Sequence, residues 1–423
     1  MGARQARHRS HKRQIGPTVG FADVLRVRAF AVLFTAETQS IVGDQLARVA
    51  LSVLVFQQTG SDAATALTYA VTFLPAVAGG WLLAAVGDRF SRRAVMVACD
   101  FARAGLFAAM AVPSLPLGAV IGLLAVAIFL GPAFSAAEVS YLSTTLPPEH
   151  FRFGTGLRLM TGQLAQVAGF AVGGVLVAGL HPRPVLLIDA ATYAVSAVLI
   201  LVVLRPDRRS RPASATGSRP GGARLLWRDR RLAVLVAVCW LAGFFIVPEG
   251  LAVPFGADVR ATTFQTGLLF ASIPLGGAFG AFVLLRGVRR ERRERVALAM
   301  AVGAGLPLLV SAASPHWSIA FAVWGLSGAL AAYQVEVITL ITHGIPEASR
   351  AQLLGVVSAG LVGAQGIGVG LFGGLADVMG AGGAIALAGG CGSAIGLVLW
   401  LAGRRLAPYP GTTKAPSDQD GAS

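Results

Sequence analysis

A stretch near the start of the chain carries three charged residues inside an otherwise apolar run. Glu37, Asp44 and Arg48 are spaced seven and four residues apart, which places them on one stripe of a helix. A carboxyl in such a setting can exchange a proton, because burial favours its neutral form while a neighbouring arginine favours its charged form. We therefore expect Glu37 or Asp44 to bind and release a proton. The alternative is a permanent bridge between Asp44 and Arg48 that only holds the helix in place.

Further charged residues lie within other apolar runs. Asp100 and Arg103 come about two turns after the start of one run, and Glu138 lies about nine residues before the end of the next. At about 1.5 Å per residue these positions have similar depth in antiparallel helices, so they can form a network. This network either holds the helices together or takes part in gating. The predicted buried charge network consists of Asp100, Arg103, Glu138 and Glu336.

Polar residues within apolar runs are candidates for contacts with a bound molecule. Glu249 is flanked by Pro248 and Pro254, and proline lacks the amide donor that an inner helix turn needs, so the helix is expected to break there. A broken helix beside a carboxylate suits a moving gate, and a hydrated helix end is an equal alternative. The predicted lining residues of a substrate cavity are Gln163, Gln166, Glu249 and Gln365.

The composition indicates what surrounds these residues. Of the 423 residues 55% are hydrophobic and only 13% are charged, and the mean hydropathy is +0.69. Soluble domains carry about 25% charged residues, so this chain has too little polar material to cover a water-soluble fold. We therefore expect an all-α integral membrane protein. Runs of about 20 apolar residues, the length that crosses a bilayer, predict twelve spans at 29–56, 63–86, 94–112, 116–146, 153–180, 185–204, 232–254, 263–285, 296–313, 317–341, 352–377 and 383–403.

The basic residues between the predicted spans indicate the orientation. If successive spans alternate in direction, 31 of the 35 lysines and arginines fall on one side, and only Arg183 and Arg260 fall on the other. Lysine and arginine accumulate on the cytoplasmic side of membrane proteins. Both termini are therefore expected in the cytoplasm, with an even number of crossings.

The chain is predicted to consist of two similar halves. A polar stretch rich in Arg, Pro, Gly and Ser separates six predicted spans from six others. Residues 138–152 match residues 336–350 at seven of fifteen positions, where chance gives about one or two. A shift of six helices preserves orientation, so the repeat is parallel, with a binding site expected between the halves. The predicted segments are a basic N-terminal tail (1–26), an N-terminal six-helix half (27–204), a central loop (205–231), a C-terminal six-helix half (232–403) and a C-terminal tail (404–423).

Three motifs connect this organisation to a known family. The loop sequence GDRFSRR, from Gly87 to Arg93, is similar to the loop signature of the major facilitator superfamily, with Ser91 in place of an inner glycine. The stretch 43–61 looks like the first helix of the enterobactin-exporter and macrolide-efflux-like branch. The sequence GFAVGG, residues 169–174, resembles the helix-five signature of proton-coupled exporters, with phenylalanine in place of proline.

The resemblance implies roles for the motif residues. Two six-helix halves would rock against each other around a central cavity. It implies that the loop latches the two halves on the cytoplasmic side, as a gate formed by Asp88, Arg89, Arg92 and Arg93. It also implies that helix five lies at the interface between the halves, through Gly169, Gly173 and Gly174.

The expected function is proton-coupled efflux, by an antiporter of the multidrug-resistance kind, of a lipophilic or amphipathic drug, antibiotic, secondary metabolite or siderophore. An importer of a small metabolite with the same fold and a non-transporting membrane sensor or receptor are the alternatives. The chain contains no HExxH motif, nucleophile elbow or Walker loop, so we expect no enzyme, no metal and no cofactor, with a proton gradient as the energy source. The expected setting is the bacterial inner or plasma membrane, as a monomer that contacts lipid and its small-molecule substrate but no nucleic acid.

Overall fold

The computed structural model describes residues 21–83, 90–205, 229–343 and 347–404. Every regular element in these ranges is helical, without a strand among them. Apolar runs fold in this way because a backbone in hydrocarbon must satisfy its hydrogen bonds within the same segment. The main helices are α1 (Arg28–Thr59), α2 (Asp62–Leu82), α3 (Arg92–Met110), α4 (Leu117–Thr145), α5 (Pro148–Leu180), α6 (Pro182–Val203), α7 (Arg230–Gly250), α8 (Thr263–Gly287), α9 (Arg290–Ala313), α10 (Trp317–Thr342) and α11 (Glu347–Arg404).

Helix α7 is broken, as its prolines predict. Pro248 lies in the first turn of a short helical segment, where the missing amide donor of proline costs least. The break is therefore confirmed at the position that the sequence indicated. The segments of α7 are Arg230–Trp240, Ala242–Phe245 and Val247–Gly250, and a further short helix follows at Ala252–Asp258.

Helix α11 bends sharply at Gly380. The φ angle of this residue is 77°, a left-handed value that glycine adopts at little cost. The bend divides α11 into a first arm, 347–379, and a second arm, 381–404. Two predicted spans, 352–377 and 383–403, thus lie on either side of one glycine.

Ten helical stretches in the described ranges are long and apolar enough to cross a membrane. Two features account for the difference from the twelve predicted spans. The two arms of α11 form one stretch, and α3 is too polar to count because it carries Arg92, Arg93, Asp100 and Arg103. The chain is a multi-pass membrane protein, and twelve crossings remain a prediction.

The helices run between two faces of the bundle. The basic face carries the starts of α1, α3, α5 and α7, and the opposite face carries the turns at Ser61, His181 and Gly380. The N-terminal half comprises the described residues 21–205, and the C-terminal half comprises the described residues 229–404, divided by chain order alone.

The two halves meet through small residues near the opposite face. A Cβ added at Gly174 of α5 would lie 2.9 Å from the Cα of Gly267 in α8. A Cβ added at Gly373 of α11 would lie 2.1 Å from the Cβ of Ala66 in α2. Small residues allow helix backbones to approach this closely. The halves are therefore in tight contact near the opposite face, whereas a cavity separates them toward the basic face.

A methyl group at Gly174 is expected to force α5 and α8 apart. In Gly174→Ala the new Cβ would meet backbone atoms of Gly267 and Thr263 at 2.9 and 3.0 Å, and backbone atoms cannot rotate away. Overpacking costs about 1–3 kcal/mol, so the free energy of unfolding in mixed detergent micelles should fall by that amount. The control is Gly179→Ala in the same helix, where an added Cβ meets no atom within 4 Å. Equal stability of the two variants would contradict the tight α5–α8 contact.

Candidate functional site

The Arg158 cluster, formed by Glu37, Glu138 and Arg158, joins α1, α4 and α5. Arg158 Nε donates to Glu37 Oε2 at 2.5 Å, and Arg158 Nη2 donates to Glu37 Oε1 at 2.7 Å and to Glu138 Oε2 at 2.6 Å. The planar guanidinium therefore binds Glu37 with two bonds and also reaches Glu138. Glu138 is only 1% exposed. A carboxylate buried to this degree needs a cation beside it, and Arg158 is that cation.

A cavity of about 390 Å³ borders the Arg158 cluster. Glu37 and Arg158 line it together with three amides, Gln45, Gln163 and Gln166. The side chain of Glu37 retains 26% of its exposure, against 1% for Glu138. Glu37 is therefore the carboxylate of this cluster that is accessible from the cavity.

The Arg103 cluster joins α1, α3 and α6 around Arg103. The guanidinium of Arg103 lies 4.1 Å from the centre of the Tyr193 ring, and its Nη2 lies 3.6 Å from Asp44 Oδ1. Tyr193 donates its hydroxyl hydrogen to the same Asp44 oxygen at 2.5 Å. Asp100 is 1% exposed and accepts a hydrogen bond from the Ser196 hydroxyl at 2.5 Å. It also interacts electrostatically with Arg103. The cluster thus combines one cation with several acids.

Asp189 completes the Arg103 cluster at the crossing of α1 and α6. It is fully buried and interacts electrostatically with Arg103 and Asp44. A Cβ added at Gly43 would lie 2.2 Å from Asp189 Oδ1. Glycine at position 43 therefore makes room for this carboxyl, and the cluster contains three acids around one arginine.

The Arg48 cluster, formed by Arg48, Tyr69, Phe73 and Glu249, connects the two halves. The Arg48 guanidinium lies 5.5 Å from the ring centre of Tyr69 and 5.3 Å from that of Phe73, within cation–π range. Tyr69 donates its hydroxyl hydrogen to Glu249 Oε2 at 2.5 Å. Tyr69 is 1% exposed and Glu249 is 2% exposed. A buried polar contact therefore joins α1 and α2 to α7.

A larger cavity, of about 800 Å³, lies between the halves toward the basic face. Trp81 of α2 and Trp240 of α7 line it from the two halves, and Gln352 and Ser358 of α11 are its polar lining residues. The Trp240 indole donates to the carbonyl oxygen of Val357 at 3.1 Å, which fixes the ring against α11. The rest of the lining is apolar or small: Ala76, Val77, Gly80, Pro132, Gly355, Val356, Ala359, Gly360 and Val362.

Asp44 and Arg48 do not form the direct bridge that the sequence offered as the alternative to proton exchange. No ion pair between them occurs among the described residues; Asp44 pairs with Arg103, and Arg48 lies between two aromatic rings. Both side chains project from α1, but α6 supplies Tyr193 to one and α2 supplies Tyr69 to the other. Neighbouring helices therefore provide better partners than the local four-residue spacing.

The predicted network of Asp100, Arg103 and Glu138 is divided between two clusters. Asp100 and Arg103 belong to the Arg103 cluster, whereas Glu138 binds Arg158. The similar depth of these residues along their helices is compatible with one network or with two separate clusters. The rotation of α4 about its axis decides the outcome, because it turns Glu138 toward α5.

Two other predicted residues lie apart from these clusters and from both cavities. Glu336, 8% exposed, lies on α10, and Gln365 is half-buried in the first arm of α11. The equivalent of Glu138 in the predicted repeat is thus buried, but it is not part of the Arg158 cluster. Their predicted roles stay predictions.

The glycines of α5 face two different neighbours. A Cβ at Gly169 would lie 2.8 Å from the Cβ of Gln45, and a Cβ at Gly173 would lie 3.4 Å from the Cα of Leu46, both in α1. Only Gly174 of these three approaches the C-terminal half. Two of the three glycines therefore pack α5 within its own half.

The predicted gate is described only in part, because Asp88 and Arg89 lie outside the described residues. Arg92 Nη1 donates to Thr144 Oγ1 at 2.8 Å, and Arg93 donates to the carbonyl oxygen of Leu201. Both bonds connect α3 to neighbouring helices of its own half at the basic face.

Four ionisable residues of the clusters were not candidates from sequence. Arg158 falls at the start of the predicted span 153–180 and counts there with the basic residues of the preceding loop, although it lies ten positions inside α5, and that position was the available signal. Asp189 lies four residues after the start of the predicted span 185–204, where water at the membrane surface would make a carboxyl unremarkable. The sequence does not indicate a role for Tyr69 or Tyr193, because a tyrosine in an apolar run more often packs against its neighbours than binds an acid.

Comparison with protein families gives a match over most of the chain. The model described as Major Facilitator Superfamily matches residues 33–357. The enterobactin exporter EntS of Citrobacter koseri is 26% identical over 402 residues, which cover 88% of this chain and 91% of that protein. A protein of Bacillus subtilis described as an uncharacterized MFS-type transporter, YkuC, is 26% identical over 235 residues, which cover 53% of this chain and 54% of that protein.

Comparison with solved structures gives the same fold at low sequence identity. A bacterial homolog of the human lysosomal transporter Spinster, in an inward-facing and occupied conformation, superposes with a TM-score of 0.72 at 16% identity. The match covers 93% of this chain and 99% of that one. A D-xylose-proton symporter superposes with a TM-score of 0.68 at 15% identity, covering 93% of this chain and 99% of that one.

Proposed function

Since the chain belongs to the major facilitator superfamily and is a membrane transporter, we propose that it exports an amphipathic small molecule in exchange for protons. The proposal includes alternating access, in which the N-terminal and C-terminal halves rock as two six-helix units about the cavity between them. The basic face is assigned to the cytoplasm, because lysine and arginine accumulate on that side. The proton gradient then supplies the energy, no cofactor takes part, and the protein works as a monomer.

The cavity between the halves is the observation that supports an amphipathic small molecule as the cargo. Its volume of about 800 Å³ fits a molecule of drug size. None of the described residues that line it is charged, two indoles face it, and Gln352 and Ser358 are its polar lining residues. Sugars require many hydrogen-bonding groups and phosphates require arginine clamps, so this lining favours an apolar or aromatic body with a few polar groups.

The relatives support the same class of cargo. EntS proteins that are 24–26% identical over 88–93% of this chain are described as enterobactin exporters. A siderophore-like molecule is therefore the first cargo to test.

Proton exchange is supported by the carboxyls inside the bundle. Acidic residues at membrane depth are costly and are found in proton and substrate pathways. Glu37, which lines the smaller cavity, and Asp44 in the Arg103 cluster are the candidates that the sequence nominated. Because the sequence contains no Walker loop for nucleotide binding, the proposed energy source is a proton gradient across the membrane.

Purified protein in liposomes is expected to accumulate its cargo against a concentration gradient when a pH gradient is imposed. The cargo panel consists of enterobactin, a macrolide and a lipophilic cationic dye, and a protonophore is the control. Cargo should move toward the more acidic side, and the protonophore should abolish accumulation. Accumulation that persists with the protonophore would contradict proton coupling, and movement away from the acidic side would favour an importer.

Truncation of Trp81 tests the cavity as the cargo site. Trp81→Ala removes one of the two facing indoles and should raise the KM for the transported molecule about tenfold, the equivalent of one lost aromatic contact. Trp317→Ala is the control, because Trp317 begins α10 at the opposite face, away from the cavity. An unchanged KM in Trp81→Ala would place the cargo elsewhere.

A further inference from the structure

Glu249 differs from the other buried acids in where its partners lie. Glu37 and Glu138 bind Arg158 within the N-terminal half, and Asp44, Asp100 and Asp189 surround Arg103 in the same half. Glu249 lies in the C-terminal half, but its hydrogen-bond donor Tyr69 lies in the N-terminal half. Among the buried acids of these clusters, only this one has a bond that must break when the halves separate.

The surroundings of Glu249 make that bond sensitive to its charge. The charged and titratable groups that face Glu249 are Arg48 from α1 and Tyr69 from α2. The first arm of α11 contributes apolar Val369 beside the neighbouring Gly250, and α8 contributes Phe270 beside the Tyr69 ring. Glu249 therefore has one cation and one hydroxyl donor in an otherwise apolar setting.

The position of Glu249 connects it to the closed side of the bundle. Tyr69 lies three residues after Ala66, the residue that Gly373 meets near the opposite face. A bond between Tyr69 and Glu249 thus adds to the contact between the halves on that side. Opening the opposite face requires α2 to move away from α7 and α11.

We infer that Glu249 binds the transported proton, and that its ionised form holds the opposite face closed through Tyr69 and Arg48. The inference rests on the proposed exchange of cargo for protons. A carboxylate accepts a strong hydrogen bond from the Tyr69 hydroxyl and attracts the Arg48 guanidinium. A neutral carboxyl keeps only a weak hydrogen bond and loses the attraction. Because the two forms of Glu249 stabilise the closed state differently, proton binding shifts the equilibrium toward opening.

The broken helix α7 suits this role. Glu249 lies in the four-residue segment Val247–Gly250, between turn residues at 246 and 251. A short segment of this kind can tilt without moving the whole of α7. Glu249 can therefore leave Tyr69 and meet water on the opposite face as that face opens.

Distances between spin labels on the opposite face test the inference. Ser114→Cys and Ala312→Cys place labels at exposed positions in the N-terminal and C-terminal halves, in a background with Cys99, Cys239 and Cys391 replaced by alanine. In lipid nanodiscs the ratio of open to closed populations should rise about 5- to 150-fold between pH 8 and pH 5.5, the usual range of coupling between sites. Glu249→Gln should be open at both pH values. A pH response of normal size in Glu249→Gln would overturn the inference.

Two further variants separate this contact from a general weakening of the interface. Tyr69→Phe keeps the ring but removes the donor, so it should increase the open population at pH 8; an unchanged population would overturn the role of the Tyr69 bond. Asp377→Asn is the matched control, because Asp377 also accepts bonds across the halves, from Ser61 at 3.0 Å and from the Ala63 amide at 3.0 Å, but is exposed. Asp377→Asn should keep the pH response, and loss of the response in this variant would overturn the assignment to Glu249.

Transport in liposomes distinguishes this inference from the proposed function. Glu249→Gln should not accumulate labelled cargo under a pH gradient, whereas the matched control Asp377→Asn should accumulate it as the wild type does. Full pH-driven accumulation by Glu249→Gln would overturn the inference and leave proton-coupled export intact. Failure of the wild type to respond to any pH gradient would instead overturn the proposed function.

Discussion

Replacing Arg103 by leucine is expected to lower the free energy of unfolding by about 3–5 kcal/mol, the usual cost of removing one partner from a buried ion pair. Arg103 Nη2 lies 3.6 Å from Asp44 Oδ1. The guanidinium also interacts electrostatically with Asp100 and Asp189. Asp100 is 1% exposed and Asp189 is fully buried. Without the arginine these acids must be neutralised or exposed, and both cost free energy. The measurement is unfolding by denaturing detergent in mixed micelles.

Two companion variants identify what Arg103 contributes. Arg103→Lys keeps the charge but loses the planar group that lies over Tyr193 at 4.1 Å, so its loss of stability should fall between the wild type and Arg103→Leu. Arg183→Leu removes a partly exposed arginine at the opposite face, which donates to the carbonyl oxygen of Val112, and should change stability by about 1 kcal/mol or less. If Arg103→Leu were as stable as Arg183→Leu, the three acids would not depend on Arg103.

Replacing Arg158 by leucine should have a similar cost, again about 3–5 kcal/mol. The side chain binds Glu37 with two hydrogen bonds and Glu138 with one, at distances of 2.5–2.7 Å. Its loss leaves Glu138 buried without its cation. Arg152→Leu, which removes an exposed arginine six residues earlier in α5, is the control for the loss of charge alone.

A second substitution should rescue part of the loss at Arg158. Arg158→Leu combined with Glu138→Gln removes the cation and the buried charge together, so the double variant should be more stable than Arg158→Leu by about 1–3 kcal/mol. Glu37→Gln should rescue less, because Glu37 is partly exposed to the cavity. Additive losses in the Arg158–Glu138 double variant would show that the two residues do not interact.

The class of the protein and the positions of its charged residues along the helices follow from the sequence alone. The apolar composition and the long runs predicted helices in a membrane, and the described residues are helical throughout their regular elements. Pro248 predicted the break in α7. The loop motif and the glycines of α5 indicated the superfamily that the family comparison then showed. These features are local, since they depend on hydropathy, on proline and glycine, and on positions along one helix.

Which charged residues pair with each other depends on how the helices pack. Helical spacing placed Glu37, Asp44 and Arg48 on one stripe of α1, yet these residues join three different clusters because α5, α6 and α2 each contribute a partner. Partners in other helices depend on how the helices are rotated and how they cross. A single sequence contains no record of those angles. For the same reason Glu249 could be recognised as an acid beside two prolines, but its bond to Tyr69 across the halves became visible only in the folded chain.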